Sequence, residues 1–88
     1  MTNVKILERM LRKVIVPLYP ILKDVDVQIM GGAFDVYFYT VVYTVNETID
    51  LSLAKEITNE TKTLYRMLGN MDDGMSVYFY DENKNYAQ

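Results

Sequence analysis

From Phe34 to Val45 the chain reads FDVYFYTVVYTV, twelve residues without Gly or Pro and with Asp35 as the one charge. Val, Tyr, Phe and Thr favour a pleated, half-buried backbone. A run this long must be a strand, and a strand must be paired. Its neighbours supply the pairing. Val25, Val27 and Ile29 alternate with Asp24, Asp26 and Gln28, the pattern of a strand with one apolar and one acidic face. Gly31-Gly32 between the two runs reads as a tight turn, so they form an antiparallel hairpin. Met75 to Tyr80 reads as a last strand after an Asp72-Asp73-Gly74 turn.

The remaining segments have helical spacing. Val4, Leu7, Leu11, Val14 and Leu18 recur at steps of three and four. This helix is expected to stop near Val16, since Pro17 disfavours helical geometry before it and Pro20 blocks a restart. A second helix is expected to begin between Thr48 and Ser52 and to run to Leu68. Leu53, Ile57, Leu64 and Leu68 face the core, with Thr61 in the same stripe. Gly69-Asn70 is its stop signal. The tail from Asp81 is polar and expected to fray, most of all over residues 82–88.

The order is α-β-β-α-β. It predicts an α+β fold, a two-layer sandwich with a three-stranded sheet and both helices on one face. Eighty-eight residues make one domain, 1–88, marginal alone and helped by a partner.

Composition narrows function. There is no His and no Cys. That removes the neutral-pH proton shuttle, thiolate chemistry and the usual zinc ligands. Ser52 and Ser76 have no base to activate them. No phosphate-binding Gly loop and no EF-hand spacing occur. Asp24 and Asp26 share a strand face, but a catalytic carboxylate pair needs a cleft. The expectation is a non-enzymatic protein with no cofactor and no metal. No apolar run approaches the ~18 residues of a membrane span, and no signal-peptide pattern opens the chain. The expected location is cytoplasmic. Ala occurs only three times while Asn, Lys, Tyr and Ile are common, a bias that fits an AT-rich, phage-like genome and hence a host cytoplasm.

Two surfaces stand out. Val36-Tyr37-Phe38-Tyr39 recurs as Val77-Tyr78-Phe79-Tyr80, and both copies are expected to share one burial pattern. With Val36, Phe38, Val42, Val77 and Phe79 turned to the helices, Tyr37, Tyr39, Tyr43, Tyr78 and Tyr80 gather on the open face with Val41 and Val45. Asp24, Asp26, Asp35 and Asp81 would rim it. Exposed aromatic patches of this kind are used for protein contact. The leading expectation is therefore a protein-interaction or assembly module that binds a protein partner or itself, in the latter case as a homodimer. A base-stacking platform is disfavoured because the strands carry no Lys or Arg for phosphate. Tyrosines that merely pave a solvated face are the plain structural alternative.

The second surface is basic. Residues 1–21 carry Lys5, Arg9, Arg12 and Lys13 against Glu8, a local balance of +3, while the whole chain is at −3. These four could meet an anionic partner, although charges on the wet side of an amphipathic helix are usually solvated only. The element order also occurs in type II KH-like domains. Leu64-Tyr65-Arg66-Met67-Leu68-Gly69 followed by Val77-Tyr78-Phe79-Tyr80-Asp81 resembles the end of ribosome-binding factor A, a family that binds the small ribosomal subunit. The resemblance covers the topology and these two short segments. It implies a second reading, an RNA- or ribosome-contacting factor using the basic N-terminal helix.

Overall fold

The computed structural model describes residues 4–31, 37–68 and 74–87. The expected turns at Gly31-Gly32 and Asp72-Asp73, the Gly69-Asn70 stop and the positions of Asp35 and Val36 fall wholly or partly outside them. The observed order is α1 (Val4–Val14), a 3-10 turn (Val16–Leu18), β1 (Leu22–Gly31), β2 (Tyr37–Val45), α2 (Leu51–Met67) and β3 (Gly74–Tyr80). The α+β class and the α-β-β-α-β order follow the expectation. No helix among the described residues is long and apolar enough to cross a membrane.

The sheet runs β1-β2-β3. β1 and β2 are antiparallel, with Val25 opposite Tyr43 and Val27 opposite Val41. β2 and β3 are parallel, with Val41 opposite Val77 and Tyr43 opposite Phe79. The parallel pair requires a crossover, and α2 supplies it.

α1 stops at Val14, three residues before Pro17, which lies in the 3-10 turn. Leu7 and Leu11 are buried and the stripe continues through Ile15, so Val14 and Leu18 are left exposed. The expected step to Leu18 fails because the chain is no longer α-helical there. Asp50 caps α2, its carboxylate accepting from Leu53 N at 2.8 Å. This settles the ambiguous start at Leu51 and explains why Ile49 lies outside the helix yet buried. The stripe of α2 is rotated from the one expected. Ala54, Ile57, Thr61 and Tyr65 are buried, while Leu53, Leu64 and Leu68 pack only partly against the core.

The largest departure is in β2. Tyr39, Val41, Tyr43 and Val45 are fully buried, and Phe38 is 55% exposed. The inward face is thus the opposite of the one expected for β2. In β3 the expected phase holds, with Phe79 buried and Tyr78 exposed. The two VYFY segments therefore share a sequence and not a burial pattern. The reason lies farther along β2. Its other face carries Thr40 and Thr44, and turning these outward keeps two hydroxyls wet. The face of Tyr39, Val41, Tyr43 and Val45 offers more apolar area to bury.

Burying a phenol requires a partner for its hydroxyl. Tyr43 Oη lies 2.6 Å from Thr61 Oγ1. Thr61 in turn donates to Ile57 O at 2.7 Å, so its proton is committed and Tyr43 is the donor between the two. Burial pushes the Tyr43 phenol far above its ordinary range, which keeps that proton in place. The Tyr43 ring stacks on Phe79 at 5.6 Å and 19°, and Tyr39 meets Tyr65 at 5.1 Å.

The tail is also ordered where fraying was expected. Asp81 Oδ1 accepts from Asn83 N and Asn85 N, both at 2.9 Å. Asp81 N donates to Asn85 O, and Ala87 N to Phe79 O. Lys84 adopts the left-handed conformation at φ 68° to close this turn. Ala87 is buried, and its carbonyl accepts from Ile49 N. The charged and amide side chains of residues 81–85 thus make a turn, not a frayed end.

The direction of the Tyr43–Thr61 bond sets an asymmetry. Thr61→Val leaves the Tyr43 hydroxyl buried without an acceptor, and should cost about 1–3 kcal/mol. Tyr43→Phe leaves Thr61 still bonded to Ile57, and should cost about 0.5–1.5 kcal/mol. Urea denaturation of the two variants checks the order; a larger loss for Tyr43→Phe would contradict the assigned donor.

Candidate functional site: the outer face of the sheet

The helices cover one side of the sheet. Among the described residues the other side has no second layer, and its residues come in rows across the three strands. Met30, Phe38 and Gly74 form one row, then Gln28, Thr40 and Ser76, then Asp26, Val42 and Tyr78, then Asp24, Thr44 and Tyr80. The Phe38 ring lies over Gly74, filling the space where a side chain would stand. At the other end Tyr78 meets Tyr80 at 6.4 Å, and Tyr80 meets Tyr86 at 5.6 Å. Tyr78 is 37% and Tyr86 54% exposed. The face is therefore aromatic along β3 and acidic along β1, with Val42 and Thr44 between.

Of the five tyrosines expected on this face, Tyr78 and Tyr80 are there. Tyr39 and Tyr43 are not: both are fully buried against the helices, so neither can contact a partner. The side chain of Tyr37 lies outside the described residues. Tyr86 joins Tyr78 and Tyr80 on this face instead, brought to Tyr80 by an isolated bridge between the two residues. Its sequence signal was available. Asp81, Asn83 and Asn85 at alternate positions are turn formers that send the chain back along β3. Val41 and Val45, also expected on the open face, are buried with Tyr39 and Tyr43.

The acidic rim is partly neutralised. Arg12 donates from Nε to Asp24 Oδ1 at 3.0 Å and from Nη2 to Val25 O at 2.9 Å. Burial opposes ionisation of Asp24, but the Val25 amide and the Arg12 guanidinium outweigh it and hold the carboxyl below its usual range. Gln28 donates to Asp26 at 3.2 Å, which leaves the Asp26 charge uncompensated by a cation. Lys23, in the register shift between Leu22 and Asp24, pairs with Glu82 beyond β3.

The basic helix loses a member by the same contact. Arg12 is a brace between α1 and β1, with Glu8 beside it at 3.9 Å. Lys5, Arg9 and Lys13 stay exposed on α1, away from the buried side of Leu7 and Leu11 and remote from the tyrosines in the two-layer arrangement. The structure does not merge the basic and aromatic surfaces into one site.

The depressed Asp24 carboxyl implies a pH signature. Its folded-state pKa is below the ordinary 3.8, so its contribution is complete above that value and is lost as pH falls through the folded-state pKa. Both side chains are exposed, so the contribution is small, well under about 1 kcal/mol at neutral pH. Asp24→Asn should be slightly less stable than wild type at neutral pH, and the gap should close in acid. Urea midpoints across pH check this; a gap that stays constant into strong acid would contradict it.

Set against models of known protein families, curated proteins and solved structures, the chain matches none, and the surface is read from its own chemistry.

Proposed function

We propose that this protein acts by stoichiometric binding, not turnover, and that it takes a protein partner on the outer face of its sheet. The observation that carries this reading is the run of Tyr78, Tyr80 and Tyr86 in mutual ring contact on a face with no covering layer. Tyrosine supplies large contact area, loses little rotamer freedom and keeps a polar tip. Asp26 stands across Val42 from Tyr78. A guanidinium laid on these rings would gain from their negative faces and from the Asp26 carboxylate. The partner expected is thus a protein surface bearing Arg among apolar side chains. Carboxylates on the same face repel phosphate, which disfavours nucleic acid there.

The exposed row of Lys5, Arg9 and Lys13 supports a second reading, contact with RNA or the ribosome through α1. It is weakened by the diversion of Arg12 to Asp24.

One experiment separates the two. Tagged wild type, Tyr78→Ser/Tyr86→Ser and Arg9→Glu/Lys13→Glu are used as baits in host lysate, with and without nuclease. The outer-face reading expects a nuclease-resistant partner lost only with the tyrosine variant. A partner lost with the charge-reversal variant or with nuclease would favour the second reading. Retention of every partner by the tyrosine variant would sink the first.

A further inference from the structure

The two edges of the sheet are finished differently. At the β1 edge, α1 supplies side chains in place of a fourth strand. Arg12 donates to Val25 O at 2.9 Å, and Val27 N donates to Glu8 Oε1 at 3.2 Å. The outward amide and carbonyl of Val25 and the amide of Val27 are thereby occupied by side chains. At the β3 edge, the tail occupies only the far end. The Phe79 carbonyl points away from β2, since it accepts from Ala87 N. Alternation along the strand then points the peptide groups of Met75 and Val77 the same way. No described residue bonds them on that side. Edge strands are usually guarded by Lys, Pro or inward charges. Gly74 to Tyr80 reads GMSVYFY and carries none of these.

We propose that the β3 edge pairs with β3 of a second copy of this chain, antiparallel about Ser76, to give one six-stranded sheet. The register follows from the open window. Phe79 is closed by Ala87, so the window is Gly74 to Tyr78 and its midpoint is Ser76. In that register Met75 and Val77 exchange hydrogen bonds with the partner's Val77 and Met75. On the outer face Tyr78 falls opposite the partner's Gly74, the position with no side chain of its own, beside the Phe38 ring that covers it. A bulky residue meets a bare one at both ends, which makes the window self-complementary. The strand is uncharged, so two copies meet without like-charge repulsion. Pairing about a two-fold axis uses the one β3 edge of each copy and is closed, so assembly through this edge stops at two. The outer faces of both copies lie on the same side of the joined sheet. This edge shares only Tyr78 with the tyrosine face, and pairing of the backbone can fail or hold without a partner on that face.

Ser76 would face its own symmetry mate in a non-hydrogen-bonded pair, with Cα atoms about 4.5 Å apart. That spacing suits a disulfide, and the chain has no other Cys. Analytical ultracentrifugation of wild type should give twice the 10.3 kDa chain mass. Ser76→Lys sets two ammonium groups face to face and should weaken association by roughly tenfold or more, with an unchanged circular dichroism spectrum showing that the fold survives. Ser76→Cys should cross-link under mild oxidation much faster than Ser52→Cys on α2. A wild type that sediments as a monomer at sub-millimolar concentration would overturn the proposal. So would a dimer indifferent to Ser76→Lys, or equal cross-linking of the two Cys variants. Tyr86 lies outside the window, so loss of a captured partner from Tyr86→Ser alone bears on the face and leaves this test independent.

Discussion

The structure depends on how β2 is turned. It is the central strand, bonded on both sides, so its inner face dictates which face of each neighbour is buried. That face is Tyr39, Val41, Tyr43 and Val45, all without solvent exposure. Opposite Tyr43 the register places Val25 on one side and Phe79 on the other. The core is assembled across this row. The cost of taking a phenol out of water is met by one acceptor, Thr61, which α2 can offer because its own proton goes back to Ile57. A polar residue in the apolar stripe of α2 is thus the counterpart of a polar tip in the apolar face of β2.

The same packing divides the tyrosines by task. Tyr39, Tyr43 and Tyr65 fill the core; Tyr78, Tyr80 and Tyr86 stand outside. The outer group exists because the tail folds back, and the tail folds back because the Asp81 carboxylate organises the turn. Charge is divided in a similar way. Arg12 leaves the basic side of α1 to brace β1, and in doing so occupies one edge of the sheet and lowers the pKa of Asp24. One contact therefore reduces the basic surface and trims the acidic one.

The order of elements was legible because each has a strong period of its own. Leu7 and Leu11 mark a helix whatever surrounds them, and Val25, Val27 and Ile29 mark a strand. Pro17 and Asp50 mark where helices end and begin. The outer face was legible in part. Tyr78 and Tyr80 were placed on it correctly, because alternation with Val77 and Phe79 turned to the helices sends them outward. Tyr39 and Tyr43 were not, because the match between the two VYFY segments invited one phase for both. The discriminating residues, Thr40 and Thr44, lie after the matched segment. Tyr86 was hidden because a polar tail has no periodicity, and only its turn residues betray that it returns.

The α+β class, the α-β-β-α-β order and a chemistry without His or Cys follow from the residues alone. Those properties are local or compositional, and hold in any packing. Only the tertiary structure decided which side of β2 faces the helices. Alternation marks two faces but does not say which is in. That choice rests on the sum of apolar area and hydroxyls over the whole strand and on an acceptor from α2, a residue eighteen positions away from Tyr43. The surface left uncovered followed from that choice.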